Sequence, residues 1–226
     1  MRFEKPAVLL ALMLCVNPVA ASVLDFEGFP AGTIIDNEYF ASFGVMVSAM
    51  GVGNAPDAAV VFDSNNVTGG DSDLAAPFDP APGNPFGQLS PGNLLILHET
   101  NNCSADFCPD PDDQGARPAG TIRFDFLTAV FINSLDFFDI EGAETGDVVL
   151  YGAGGSVLDT FAIPTTGGDN QWQRLAINVG DVLAMDINMG GSGAIDNLDF
   201  TVVPVPGALL LMLGALGPLG LMRRRR

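Results

Sequence analysis

Aspartates near paired glycines are the first residues of this chain whose types and spacing suit chemistry. Asp71 and Asp73 alternate in the segment TGGDSDL. A flexible loop rich in oxygen ligands is the setting that calcium favours. The same residue types suit an aspartate turn that faces water. The pattern therefore supports a calcium site and a solvated turn equally.

A second acidic segment, DPDDQG at residues 110–115, is similar to the first half of an EF-hand loop. The twelfth position of such a loop would be Thr121, where the EF-hand needs a glutamate. An EF-hand is therefore excluded. Asp110, Asp112 and Asp113 leave two interpretations open, which are a looser calcium site and the solvated acids of an ordinary loop.

The residues that enzymes use most often are scarce. His98, in LLILHET, is the only histidine, which excludes a multi-histidine metal centre and leaves a Ser-His-Asp triad dependent on one residue. No G-x-S-x-G segment accompanies it, and pieces such as GAGG lack the lysine of a phosphate-binding loop. Paired carboxylates are not a specific sign of a glycosidase in so acidic a chain. We predict a non-catalytic protein with His98 on a half-buried strand.

Two cysteines close a short polar loop in the segment NNCSADFCPDPDDQG. In an exported protein, two cysteines placed in this way favour a disulfide over a metal site. Zinc would need more ligands than this loop offers. The sequence therefore predicts a Cys103–Cys108 disulfide.

The only tryptophan, Trp172, lies in the alternating segment QWQRLAI. The first interpretation is packing in the core or on the face of a sheet. The second interpretation is a platform on which a sugar ring stacks. Trp172 is therefore the candidate sugar contact.

Short apolar or alternating runs recur along most of the chain, as in AAVVFD, TIRFDF, AVFINSLDFFDI, DVVLYG, SVLDTFAI, QWQRLAINV and VLAMDINM. Turn residues such as Gly154–Gly155 and Gly167–Gly168 separate nearly all of them. No comparably long stretch has a helical period. We predict an all-β fold, an antiparallel β-sandwich of the jelly-roll type, over residues 22–201. Residues 69–91, rich in Pro, Gly, Asp and Asn, are expected to form a long functional or packed loop.

Charge is distributed unevenly along the chain, which has 27 acidic and nine basic residues. The predicted body at residues 22–201 contains no lysine and only Arg117, Arg123 and Arg174, whereas Glu4 is the only acid outside it. Such a surface repels nucleic acid and anionic lipid, so neither is an expected partner. It should attract cations.

The N-terminus has the pattern of an export signal at residues 1–21. Arg2 and Lys5 precede an apolar stretch from Ala7 to Val16, and the small residues Val19-Ala20-Ala21 form a cleavage site. The alternative is a buried helix. We predict a cleaved signal helix.

The C-terminal segment, residues 202–226, has the pattern of a membrane span. No charge occurs from Val202 to Met222, a length of about 30 Å as a helix, although Pro204 and Pro206 restrict the helix to Gly207 onwards. The basic residues that follow should stay in the cytoplasm, with the acidic body on the other side. We predict a single transmembrane helix.

The order of VPVPG, apolar segment and terminal arginines resembles the PEP-CTERM class of sorting signals, in its VPLPA-like variant. The resemblance implies export by a Gram-negative bacterium, inner-membrane anchoring in transit, and processing near the prolines by an exosortase-type enzyme. It also implies a final place on the cell surface or in an extracellular, biofilm-type matrix. The alternative is an ordinary single-pass anchor. The residues that carry the resemblance are Pro204, Pro206, Arg223, Arg224, Arg225 and Arg226.

The segments LDFEGFPAGTII and SGAIDNLDF look like the paired terminal strands of galactose-binding-like jelly rolls, found in carbohydrate-binding modules and MAM-type adhesion domains. That resemblance implies a structural calcium ion shared by Glu27, Asp25 and Asp196. Strand parity adds independent support, because Asp196 lies on the same face of the strand as the apolar Leu198 and Phe200. Its carboxylate should therefore face inward. An inward carboxylate needs a partner, and calcium is one that suits it.

Two functions follow from these features. The first is an exported, sorted surface or matrix protein whose β-sandwich does no chemistry. The second is a calcium-dependent carbohydrate-binding module or adhesin, with extracellular polysaccharide as its partner.

Overall fold

The computed structural model of the protein describes residues 21–53, 55–113 and 115–203. The sorting residues Pro204, Pro206 and Arg223–Arg226 lie outside this range, as does nearly all of the predicted signal segment. Within the described ranges, no helix combines the length and the apolar character needed to span a bilayer.

The described residues form an all-β fold, as predicted. One short helix, α1, spans Phe40–Phe43, and two single 3-10 turns lie at Ser72–Leu74 and Ala153–Gly155. The strands are β1 Ala21–Leu24, β2 Val45–Gly51, β3 Ala59–Asp63, β4 Asp79–Pro80, β5 Asn93–Leu97, β6 Gly120–Phe138, β7 Asp147–Tyr151, β8 Val157–Ala162, β9 Gln171–Met189 and β10 Ala194–Val202.

The strands join in one sheet in the order β3-β5-β10-β6-β9-β7-β8, with β1 on β10, β2 on β6 and β4 on β9. Every strand pair is antiparallel except the two-residue contact between β4 and β9. The first part of β6 lies between β2 and the end of β9, and its last part lies between β10 and the start of β9. The two ends of each long strand thus pair with different neighbours within the one sheet, and the fold is β-sandwich-like. The jelly-roll connectivity itself stays a prediction.

Strands β6 and β9 each merge two runs that the sequence pattern separates. Strand β6 contains TIRFDF and all but the last two residues of AVFINSLDFFDI in its 19 residues, and β9 contains QWQRLAINV and VLAMDINM in its 19. Register shifts fall where turns were expected, and Asn178 and Asp181 have φ of 57° and 59°. A left-handed residue can form a bulge inside a strand as well as a turn between strands. Here cross-strand pairing continues on both sides, so the chain bends without reversing.

Strands β3 and β5 are buried on both faces, which explains their continuous apolar runs. Leu95 and Leu97 face the main core, whereas Leu94 and Ile96 face a smaller one. The predicted loop at residues 69–91 packs over that smaller core through Leu74 and Phe78, both fully buried. The loop is thereby held against the sheet.

Candidate functional site: two acidic clusters

The five predicted metal ligands occupy two places in the fold. Asp25, Glu27 and Asp196 approach one another where β1 ends opposite β10, since Leu24 pairs with Leu198. Asp71 and Asp73 line a pocket elsewhere. We call the first group, with Asp136, the terminal-strand cluster. The acidic pocket is the second group, and its carboxylates are Asp71, Asp73, Asp139, Glu141 and Glu144.

Asp196 is the buried centre of the terminal-strand cluster, with 1% of its surface exposed. Its Oδ2 accepts a hydrogen bond of 2.8 Å from Asn197 Nδ2. Its Oδ1 has no hydrogen-bond partner among the described residues. Burial raises the pKa of Asp196 to about 9, and repulsion from Asp136, Asp25 and Glu27 adds to the rise. No basic side chain of the described residues donates a hydrogen bond to this carboxylate.

Asp136 lies directly across the sheet from Asp196 and already has a cationic partner. Arg174 donates from Nε and Nη2 to its two oxygens, at 2.6 and 2.8 Å. Asn197 Nδ2 also donates to Asp136 Oδ2, at 3.2 Å. A bidentate guanidinium satisfies one carboxylate in this geometry. Arg174 therefore forms its hydrogen bonds with Asp136 and none with Asp196.

The loop after β1 is held in place by Asn93. Its Nδ2 donates to the carbonyl oxygens of Phe26 and Phe29 at 3.0 and 2.8 Å, and its backbone N–H donates to Glu27 Oε1 at 2.6 Å. Gly92 has φ of 83°, and a Cβ there would collide with the Glu27 carboxylate. The positive φ favours glycine at this position. Glu27 is thus held near Asp196. No three carboxylates of the described residues, these included, bring their oxygens within 4.8 Å of one another.

The acidic pocket has a volume of about 260 Å³. Its floor includes Asp139, which follows β6, has φ of 56° and donates its N–H to Gln171 O at 3.0 Å. Thr166 holds Ile140, the residue after Asp139. Its Oγ1 accepts a hydrogen bond from Ile140 N at 2.9 Å, and its N–H donates to Ile140 O at 2.8 Å. The lining consists of Asp71, Asp73, Gly115, Arg117, Asp139, Glu141, Glu144 and Ser192.

Asp139 is only 3% exposed, and its Oδ1 has no hydrogen-bond partner among the described residues. Burial raises its pKa to about 7, and repulsion from Asp73, Asp169, Glu144 and Glu141 contributes. An unpaired buried carboxylate oxygen is costly and uncommon in folded proteins.

Asn170 holds the loop that carries Asp71 and Asp73. Its Nδ2 donates to the carbonyl oxygens of Ser72 and Ala75 at 3.1 and 2.7 Å, and its N–H donates to Asp73 O at 3.0 Å. The loop is therefore tied to the start of β9, beside the end of β6.

Asp113 lies directly behind Asp71, since its N–H donates to Asp71 Oδ2 at 3.3 Å. Its own Oδ2 accepts from Ser192 Oγ at 3.0 Å and from Gly193 N at 2.8 Å. Burial and the neighbouring Asp71 raise the pKa of Asp113 well above its usual range. Of the three acids considered at residues 110–113, Asp113 is thus the one buried beside the pocket.

Arg117 is the only basic residue of the pocket lining, and it pairs with Glu144. The Arg117 side chain is 52% exposed, whereas that of Glu144 is 4% exposed. Glu144 Oε2 also accepts from Glu141 N at 3.2 Å. The lining of the acidic pocket therefore contains one guanidinium group and five carboxylates.

The predicted disulfide is present between Cys103 and Cys108. Together with His98, these cysteines form the only trio of His, Cys, Asp or Glu ligand atoms within 4.8 Å of one another in the described ranges. Because the sulfur atoms are bonded to each other, they are not available as thiolate ligands.

His98 is fully buried, deeper than the half-buried position predicted for it. Its Nδ1 accepts from Asp112 N at 3.1 Å, which assigns the proton to Nε2, where Asn102 Oδ1 accepts at 2.9 Å. Both ring nitrogens therefore serve the packing of this loop.

Trp172 is 3% exposed, so its ring presents no face to solvent. The indole stacks with Phe138 at 6.3 Å between centroids, and Nε1 donates to Gly87 O at 3.1 Å. Core packing, the first of the two interpretations, is what the structure has. The exposed ring nearby is Phe86, with the Arg174 guanidinium 4.8 Å from its centroid.

Sequence reasoning did not select Asp136, Asp139, Glu141 or Glu144. A signal for Asp139 exists in the sequence, because an acid directly after the apolar run LDFF must stand at the end of a buried strand. Nothing local connects it with Asp71 and Asp73, more than sixty residues earlier.

Neither the scan of protein-family models nor the search of curated proteins gave a match, so no family is assigned to this chain.

Proposed function

We propose that this protein is exported, sorted by an exosortase-type enzyme, and displayed at the cell surface or in an extracellular matrix as a non-catalytic β-sandwich. The Cys103–Cys108 disulfide carries the proposal, because such bonds form and persist in oxidising compartments outside the cytoplasm. The signal-like segment 1–21 and the tail 202–226 agree with this destination.

The tail supplies the proposed route. Arg223–Arg226 hold the C-terminus in the cytoplasm and the apolar segment rests in the bilayer. Pro204 and Pro206 keep the chain extended and accessible to a membrane protease, since neither can donate a backbone hydrogen bond.

Intact-mass analysis of protein from the native host tests this route. We expect a mature chain from about Ser22 to the vicinity of Pro204 or Pro206 in the wild type, and an unprocessed tail in a strain that lacks the sorting enzyme. The double substitution Pro204→Ala/Pro206→Ala should also retain the tail, whereas Pro164→Ala in the body should not. Mature wild-type surface protein that still ends at Arg226 would contradict sorting and leave a plain anchor.

A cation at the terminal-strand cluster is part of the proposal. The unpartnered Oδ1 of the buried Asp196 and the nearby Asp25 and Glu27 support calcium there as a structural ion. Calcium would neutralise the carboxylate to which Arg174 donates no hydrogen bond and so tie β1 to β10.

The second candidate function is carbohydrate binding. It is favoured by an open cavity of about 380 Å³ on the sheet, where polar side chains surround one aromatic ring. Arg123 lies 5.5 Å from the Tyr151 ring centroid and donates to Asp186 at 2.7 Å. Hydrogen-bonding groups beside a partly exposed ring suit sugar hydroxyls and a sugar face.

A glycan array with the calcium-loaded protein tests the second function. Binding that Tyr151→Ala abolishes, and that the exposed β8 substitution Val157→Ala preserves, would support it. No binding across broad polysaccharide classes would contradict it and leave the structural role.

A further inference from the structure

The acidic pocket collects negative charge from segments that are distant in sequence. Asp71 and Asp73 come from the loop over the smaller core, and Asp139, Glu141 and Glu144 come from the segment between β6 and β7. Arg117 is the only lining residue of opposite sign, and it is engaged by Glu144. A pocket of this composition attracts cations and repels anionic ligands.

Asp139 is an independent sign of a ligand. Its side chain is 97% buried (3% exposed) and lines the pocket, and Oδ1 lacks a partner in the part of the chain that the structure describes. The nearest basic group of the lining pairs with a different carboxylate. Buried carboxylates are normally paired or coordinate metals, so this oxygen is the natural first ligand of a cation.

The dimensions of the pocket select among cations. A cavity of about 260 Å³ holds an ion together with several waters. No three carboxylates in the described ranges bring their oxygens within 4.8 Å of one another. At the usual calcium–oxygen distance of about 2.3–2.6 Å, three of them cannot all bind one ion directly without side-chain movement, so water must link some of them to it. Calcium takes about six to eight oxygens in adaptable geometry, whereas magnesium demands a near-ideal octahedron. The pocket has oxygen ligands but no preformed octahedron of them, so calcium fits it better than magnesium does.

We propose that the acidic pocket is a calcium site, separate from the terminal-strand cluster, in which Asp139 is a direct ligand and water links Asp73 and Glu141 to the ion. Bound calcium ties the 71–73 loop to the end of β6. Because Arg117 neutralises Glu144, Glu144 lines the site without serving as a ligand. The site does not depend on export, sorting or sugar binding.

Calorimetric titration of calcium chloride into the chelator-treated full-length chain, held in mild detergent, tests the proposal. The Asp139→Asn variant keeps the side-chain shape and should bind calcium at the pocket at least tenfold more weakly, or lose that binding step. Asp159→Asn removes the same charge from exposed strand β8 and should bind like the wild type. Asp196→Asn should retain the pocket step, which separates this site from the terminal-strand cluster.

Unchanged calcium binding in Asp139→Asn would overturn the proposal, as would an equal loss in Asp159→Asn, which would indicate only diffuse attraction by an acidic surface. If Asp139→Asn fails to fold, Glu141→Gln at the exposed rim replaces it and should also weaken binding. Magnesium titration is the further control, and magnesium binding tighter than calcium binding at this site would contradict the calcium assignment.

Discussion

Without metal, the stability of the Asp196→Asn variant relative to that of the wild type should increase as the pH rises. Burial raises the pKa of Asp196 to about 9, above the ordinary aspartate value of 3.8. The folded state therefore holds this proton more tightly than the unfolded state does. The stabilising contribution is full below about pH 4 and is lost as the pH rises towards 9. Asparagine does not titrate, so the variant avoids that loss.

The expected size of the effect follows from linkage. Between pH 5 and pH 8 the group is ionised in the unfolded chain and protonated in the folded one. Each pH unit in that interval then costs about 1.4 kcal/mol of unfolding free energy, so three units cost up to about 4 kcal/mol. Asp139 also titrates in this range, but it is present in both proteins and cancels in their difference.

Urea unfolding at pH 5 and pH 8 in the presence of a chelator measures this difference. The stability of Asp196→Asn relative to wild type should increase by up to about 4 kcal/mol over the interval. The matched variant Asp159→Asn should follow the wild-type pH dependence. Excess calcium should suppress the increase, because a cation stabilises the ionised carboxylate. Parallel pH curves for wild type and Asp196→Asn without metal would refute the reasoning.

Substitutions at three further places test the supporting structure by urea unfolding. Cys103→Ala/Cys108→Ala should lower stability by about 2 kcal/mol, the loop-closure value for cysteines five residues apart, and a reducing agent should then have no further effect. Arg174→Ala should cost about 2 kcal/mol, because the fully buried Asp136 loses its bidentate partner, with Arg174→Lys intermediate; equal stability of all three proteins would contradict this. Gly92→Ala should cost more than 1 kcal/mol, because φ is 83° and the new methyl group meets the neighbouring glutamate; an unchanged midpoint would show that the loop moves freely.

The prediction of strands succeeded where the pattern is local. Runs such as AAVVFD and DVVLYG contain the residues of β3 and β7, because alternation and β-branched residues act within a few positions. The pattern wrongly divided β6 and β9. Whether Asn178 and Asp181 turn the chain or form a bulge depends on neighbouring strands that are distant in sequence.

The terminal-strand cluster could be predicted in part. The parity of Asp196 with Leu198 and Phe200 indicates an inward carboxylate, and the structure has it 1% exposed. Asp136 was missed, because its position opposite Asp196 follows from the β6–β10 register. Register between strands sixty residues apart is set by long-range pairing.

The sequence alone determined the all-β class, the disulfide, and the lysine-free acidic body, because composition, period-two alternation and cysteine spacing are local properties of the chain. Only the tertiary structure decided which acids meet. It brought Asp71 and Asp73 to Asp139, buried Trp172 against Phe138, and gave Arg174 to Asp136 instead of Asp196. These outcomes depend on how the loops pack over the sheet. The contacts that stabilise this packing join residues that are far apart in sequence, so no local pattern contains them.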